Sequence, residues 1–311
     1  MFNNIQKRHW AFVAIILSSI LWSTAGISGK ILLEVFDPFV AGFYRFAIAS
    51  VIILPFVLFA KKQELSLKLL IISVLGAFNV PLFYLGLKTT TASSAQIIYA
   101  GCPLVTMLFA NYLIKEKSSL SKIIGIFIGL FGVVLIILLP KWQANNLLVG
   151  DLTGNLFILL GMITWSLYTV FCRDYMRSGK SSPATITAIY FIISAVVCFI
   201  LVILTGQNFN INSLISIKPF FALIYAAIII TLITYFLFQW AMQYISATTA
   251  SLKNYLEPMM AIFLNVIILN EVISGGFIIG GLLIISGIFL TTSNKLKLRG
   301  LKTLGFFKIK S

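Results

Sequence analysis

The chain has 311 residues, 60% of them hydrophobic and only 10% charged, with a mean hydropathy of +1.05. Soluble proteins carry about 25% charged residues, so a soluble globular protein is excluded. The net charge of +15 does not point to nucleic acid, because the basic residues fall in short clusters between apolar runs and not on one face with interleaved aromatics.

The first apolar run is Trp10–Gly29, preceded by Lys7 and Arg8. It reads as an uncleaved span and not a signal peptide, since its Leu21-Trp22-Ser23 recurs in mid-chain as Thr164-Trp165-Ser166. Further runs cover Phe39–Ala60, Leu67–Leu87, Ala92–Ile114 and Ile123–Leu139. After a Pro140–Gly150 linker come Leu152–Phe171, Ala184–Thr205, Pro219–Trp240, Ala247–Leu269 and Gly275–Thr292. Each is near the ~20 residues a helix needs to cross the hydrocarbon core. The expected fold is therefore an all-α membrane protein with ten transmembrane helices.

Basic residues orient these runs. With the N-terminus inside, 17 of the 23 Lys and Arg residues fall in inside segments, including Lys61, Lys62, Lys115, Lys117, Arg173 and Arg177. Only Lys30, Lys88, Lys141 and Lys218 fall outside, a strong positive-inside signal. Both termini are expected in the cytoplasm.

The chain also repeats itself. At an offset of 155 residues Ala92 falls on Ala247, Pro103 on Pro258, Glu116 on Glu271, Gly125 on Gly280 and Gly132 on Gly287. Five spans per half is an odd number, so the second half enters from the opposite side. The expected units are residues 1–139 and 152–293, joined by a linker at 140–151 and followed by a basic cytoplasmic tail at 294–311. Inverted repeats place a binding site near the midplane and alternate its access by rocking one half against the other.

This doubled pattern of small residues, Pro103 or Pro258, Glu116 or Glu271 and Gly125 or Gly280, resembles the EamA branch of the drug/metabolite transporter superfamily. The resemblance covers about Trp10–Thr292. It implies ten helices in a bacterial inner membrane, a central cavity, and transport of small metabolites, often amino acids moved outward.

Charges within spans cost roughly 2.5–3.5 kcal/mol each on insertion scales and are functional candidates. Of eight acidic residues only Glu257 is well inside a span. Lys253 lies one turn earlier, on the same face as Asn254. Lys253 would meet a substrate carboxylate, and Glu257 an amine or a coupling proton; the bland alternative is a self-neutralising structural pair. On the matching first-half helix Gln96 and Tyr99 are plausible contacts, against ordinary interhelical bonding. Asn79 and Phe83 correspond to Thr234 and Phe238. Trp22 and Trp165 sit in mid-span, away from the interfacial belts, and are expected to face the interior. Arg45 reads as a snorkelling anchor, or as a partner of Glu34 or Asp37, in a structural or gating role, with substrate contact as the alternative. Glu116 and Glu271 read as caps of the helices that follow them. The glycines could pack within a monomer or form a homodimer.

Enzyme readings are weak. Gly26-Ile27-Ser28-Gly29 superficially resembles a rhomboid-type serine motif, but that chemistry needs a histidine base in another span, and the only histidine is His9, at the start of this same first run. No GxxxxGK[ST] phosphate loop appears. No metal site or cofactor is expected, and Cys102, Cys172 and Cys198 read as small apolar residues. The expected function is a secondary transporter exporting small polar metabolites, amino acids or related zwitterions. An importer on the same fold is the alternative, and a membrane-embedded enzyme or scaffold ranks below it.

Overall fold

The computed structural model describes residues 4–58, 66–90, 92–143, 151–177, 179, 181–210, 216–260 and 275–292. Its regular elements are all helices. The interruptions between them have local causes. Helix α1 (Asn4–Trp22) passes into α2 (Ala25–Leu33) through Ser23 and Thr24. There the Ser23 and Thr24 hydroxyls donate back to the carbonyls of Ile20 at 2.6 Å and Leu21 at 2.7 Å, and such back-bonding bends a helix. After α3 (Pro38–Leu58), α4 (Leu67–Ala77) breaks at Phe78 before α5 (Asn79–Thr89). Pro81 has no N–H for the Ala77 carbonyl one turn back. Pro103 acts in the same way on the carbonyl of Tyr99. It separates α6 (Ala92–Tyr99) from α7 (Cys102–Leu113) at Ala100 and Gly101.

Helices α8 (Leu120–Gln143), α9 (Leu152–Arg177) and α10 (Pro183–Thr205) run unbroken. The last is capped by Ser182, whose hydroxyl accepts from the Thr185 N–H at 3.1 Å. It ends on Gly206 at φ 65°, the left-handed conformation that favours glycine. Next comes α11 (Ile217–Tyr225), which widens into a π-helical stretch, Ala226–Ile233, before α12 (Thr234–Ala241). Then α13 (Ala247–Ser251) yields at Leu252 to α14 (residues 253–260), and α15 (Gly275–Thr292) is the final element described.

Among the described residues six stretches are long and apolar enough to cross a membrane: Gln6–Leu33, Pro38–Pro55, Leu67–Thr89, Leu152–Arg177, Pro183–Thr205 and Ile217–Ala241. Shorter apolar helices at Cys102–Leu113, Leu120–Gly132 and Ile278–Thr291 accompany them. Side chains such as Val51, Leu204 and Phe221 are exposed on the outside, as lipid requires and water does not. The protein is multi-pass. The expected spans Ala92–Ile114 and Ala247–Leu269 are not single helices, for each is cut near its middle or start. Helix α8 also continues through Pro140 into the expected linker. Residues 261–269 of the expected span Ala247–Leu269, Glu271 and the tail at 294–311 lie outside the described residues.

The bundle is held by pairs of helices distant in the chain: α3 on α10, α5 on α9, α1 on α12, α7 on α13 and α8 on α15. The α8–α15 crossing depends on missing side chains. A Cβ on Gly125 would lie 2.6 Å from the Gly287 carbonyl oxygen, and one on Gly132 would lie 2.7 Å from that of Gly280. Two cations tie helix ends. Lys30 donates to the carbonyls of Leu87 and, at 3.0 Å, Thr90, at the end of α5. Arg173 donates to those of Met242 and, at 3.1 Å, Gln243, just past α12. The last carbonyls of a helix lack intrahelical donors and carry its negative dipole end, so a cation suits them. Expected capping by Glu116 gives way to Ser119, whose hydroxyl accepts from the Lys122 N–H at 3.3 Å in the first turn of α8. Ser119 is adjacent to the helix start, whereas Glu116 is too far upstream to reach it.

Candidate functional site

The interrupted helices converge on one cavity with room of about 110 Å³. The α1–α2 break contributes Trp22, Ser23, Ala25 and Gly26; α5 contributes Asn79, Phe83 and Leu87; α6 contributes Ala95, Gln96 and Tyr99. Lys253, Asn254, Glu257 and Pro258 come from α14, with Arg45, Trp165 and Tyr235 completing the wall. Irregular backbone is tolerated at membrane depth where it lines a cavity, and here Trp22, Asn79, Tyr99, Tyr235 and Lys253 all flank interruptions.

Lys253 is the electrostatic centre. Its Nζ donates to Glu257 Oε1 at 2.6 Å and to Asn254 Oδ1 at 3.0 Å. It also sits 3.9 Å from the centre of the Trp22 ring, 5.6 Å from Trp165 and 5.8 Å from Phe238. The Lys253 and Glu257 side chains are 6% and 16% exposed. At that depth an unpaired charge would cost several kcal/mol, and a desolvated cation–π contact returns about 2 kcal/mol. Asn254 Oδ1 is engaged by Lys253, while its Nδ2 is buried without a partner.

Asn79 is satisfied. Its Nδ2 donates to the Tyr99 hydroxyl at 2.6 Å and to the Gly161 carbonyl at 2.9 Å, so it ties α5 to α6 and α9. Phe83 meets Tyr99 edge to face at 6.0 Å. Trp22 meets Trp165 at 5.9 Å and Tyr235 at 5.0 Å, and Tyr235 stacks on Tyr190 at 5.1 Å. The wall is aromatic with a few fixed polar atoms, the usual makeup of a small-molecule site.

The structure thus brings Trp22, Asn79, Phe83, Gln96, Tyr99, Trp165, Lys253, Asn254 and Glu257 to one cavity. Thr234 and Phe238 are placed elsewhere. The Thr234 hydroxyl turns back onto the Ile230 carbonyl, and Phe238 is fully buried behind Trp22 and Trp165. The π-helical stretch accounts for this. Its wider turns rotate the following helix relative to an α-helical register, so Tyr235 reaches the cavity and Thr234 does not.

Arg45 departs from the anchoring reading. It neither snorkels nor pairs with Glu34 or Asp37, which engage Lys218 at 2.8 Å and Lys88 at 3.6 Å. It is 7% exposed, lines the cavity, and donates through Nε to Thr231 Oγ1. Its charge a turn and a half inside an apolar run was the available signal. Tyr235 had none, since a π-turn is not legible in an apolar run.

The sequence profile of the EamA-like transporter family matches the chain twice, over residues 9–138 and 152–293. An uncharacterized transporter of Clostridium kluyveri is 30% identical, over 94% of this chain and 96% of its own. The Bacillus subtilis uncharacterized transporter YyaM is 25% identical over 85% and 87%. The WAT1-related protein At5g13670 of Arabidopsis thaliana is 24% identical over 94% and 87%. A solved crystal structure shares the fold at a TM-score of 0.76 and 19% identity, covering 93% of this chain and 98% of that one. With a polar cavity enclosed by broken apolar helices and a family profile spanning both halves, the chain belongs to the EamA-like transporter family.

Proposed function

We propose that the protein is a secondary transporter that moves small polar metabolites, amino acids or related zwitterions, outward across a bacterial inner membrane by alternating access. The observation that carries this reading is the Lys253–Glu257 pair, buried at 2.6 Å against Trp22 in the wall of the cavity. A purely structural pair has little reason to be placed in lipid. In the structure each charge satisfies the other. A zwitterion offers the same two charges in reverse, its carboxylate to Lys253 and its ammonium to Glu257, and can replace the pair without stranding either. Glu257 is also the site for a coupling proton.

The reading includes ten spans in two inverted five-helix halves, with both termini cytoplasmic. Three features support it. Packing of α1 on α12 is mirrored by α9 on α5. Gly125 meets Gly287 while Gly132 meets Gly280, the exchanged pairing a twofold axis generates when 125 and 280, and 132 and 287, are equivalent. Arg173 follows Trp165 at the distance Lys30 follows Trp22, and the two donate to carbonyls at matching positions, Met242 and Leu87.

The test is flux of an amino-acid panel in proteoliposomes, in right-side-out and inside-out orientation, for wild type, Lys253→Ala and Glu257→Gln. Loss of flux in both variants is expected. Undiminished flux in both removes the pair from the mechanism.

A further inference from the structure

The cavity contains more cationic and donor capacity than the Lys253–Glu257 exchange uses. Arg45 and Lys253 face a single carboxylate, Glu257, and Glu257 is taken by Lys253. Among the described residues Arg45 has no carboxylate partner. Its neighbours are neutral: the Thr231 hydroxyl, the Phe46 ring at 5.3 Å, and the phenols of Tyr84 and Tyr235. A guanidinium presents five N–H donors in a planar fork suited to a carboxylate, and here its acceptors among the described residues are neutral hydroxyls, Thr231 Oγ1 at Nε and the Tyr84 phenol. A second, independent donor is idle. Asn254, a residue of the cavity wall, is 1% exposed, its Oδ1 is fixed by Lys253, and its Nδ2 is buried with no acceptor. The oxygen–nitrogen assignment of that amide is settled by the lysine, which can only donate. A buried donor without an acceptor is costly, so both groups ask for the same thing: oxygen atoms carrying negative charge.

Resting on the zwitterion reading above, we infer that the cargo carries a second anionic group beyond its zwitterionic ends, giving it a net charge of −1, and that Arg45 with the Asn254 amide receives it. An acidic amino acid has this chemistry. The cargo's own ends occupy Lys253 and Glu257, and its side-chain carboxylate neutralises the guanidinium that the protein leaves unmatched. A neutral amide of the same shape would leave Arg45 uncompensated and would add donors where acceptors are lacking.

The experiment uses isosteric pairs, aspartate against asparagine and glutamate against glutamine, in counterflow on proteoliposomes of the full-length protein. The wild type is expected to prefer an acid over its amide by about tenfold or more in at least one pair, as charge-assisted bonds are roughly twice as strong as neutral ones. Arg45→Gln is expected to bring that ratio towards one, with Arg45→Lys in between because it keeps the charge and loses the fork. Equal or better transport of the amides by wild type overturns the inference and leaves the zwitterion reading standing, and this outcome needs no variant to fold. Transport of none of the four, together with no flux of any amino acid, overturns both.

Discussion

Removing either member of the Lys253–Glu257 pair leaves the other's charge buried, a loss of about 3–5 kcal/mol where the survivor cannot reach water. Lys253→Ala and Glu257→Gln should therefore each lower the thermal unfolding midpoint in detergent. The double variant Lys253→Met with Glu257→Gln removes both charges. It should recover most of that stability while amino-acid flux stays abolished. A pair that only stabilised the helix would recover flux as well, so midpoint and flux measured side by side distinguish the two roles. The pair itself was legible from spacing alone, because only one acidic residue sits deep in an apolar run and a lysine precedes it by one turn. The choice between anchor and substrate contact for Arg45 stayed open, because a sequence does not reveal which face of a helix meets a cavity.

Most helix positions followed from apolar length, whereas the breaks at Phe78 and at Ala100 and Gly101 did not, although Pro81 and Pro103 each lack the N–H that would continue the helix there. The π-helical stretch Ala226–Ile233 was not legible, because Ala, Ile, Leu and Thr carry no signal for an i→i+5 bond. That one element displaced Thr234 from the cavity and put Tyr235 there. The glycines divide in a way composition cannot reveal. A Cβ on Gly287 would lie 2.5 Å from the Gly125 carbonyl oxygen, whereas one on Gly281 would meet only Met259 Sδ at 3.7 Å. Gly287→Ala should lower yield and thermal midpoint by forcing α8 and α15 apart. Gly281→Ala should be neutral or stabilising, by up to about 1 kcal/mol from helix propensity. Size-exclusion profiles and melting curves of the two variants check this. Pro103→Ala restores the donor for the Tyr99 carbonyl. It should raise the melting midpoint while slowing flux, if the break at Ala100 and Gly101 is what lets the wall move.

On the scale of the whole molecule, Lys30 and Arg173 are the most readily tested ties between helices. In the proposed topology they close opposite faces of the bundle, so Lys30→Met and Arg173→Met should bias the cavity in opposite directions. Accessibility of a cavity cysteine from each side of the membrane measures that bias, and equal shifts from both variants would count against it. The central claim is a single polar cavity reached alternately from the two sides. Its most direct test is membrane-impermeant maleimide labelling of Tyr99→Cys, with the three native cysteines replaced by alanine, in sealed right-side-out and inside-out vesicles. The account predicts reaction in both orientations and protection in both by a transported amino acid. Reaction from one side only, or from neither, would contradict it.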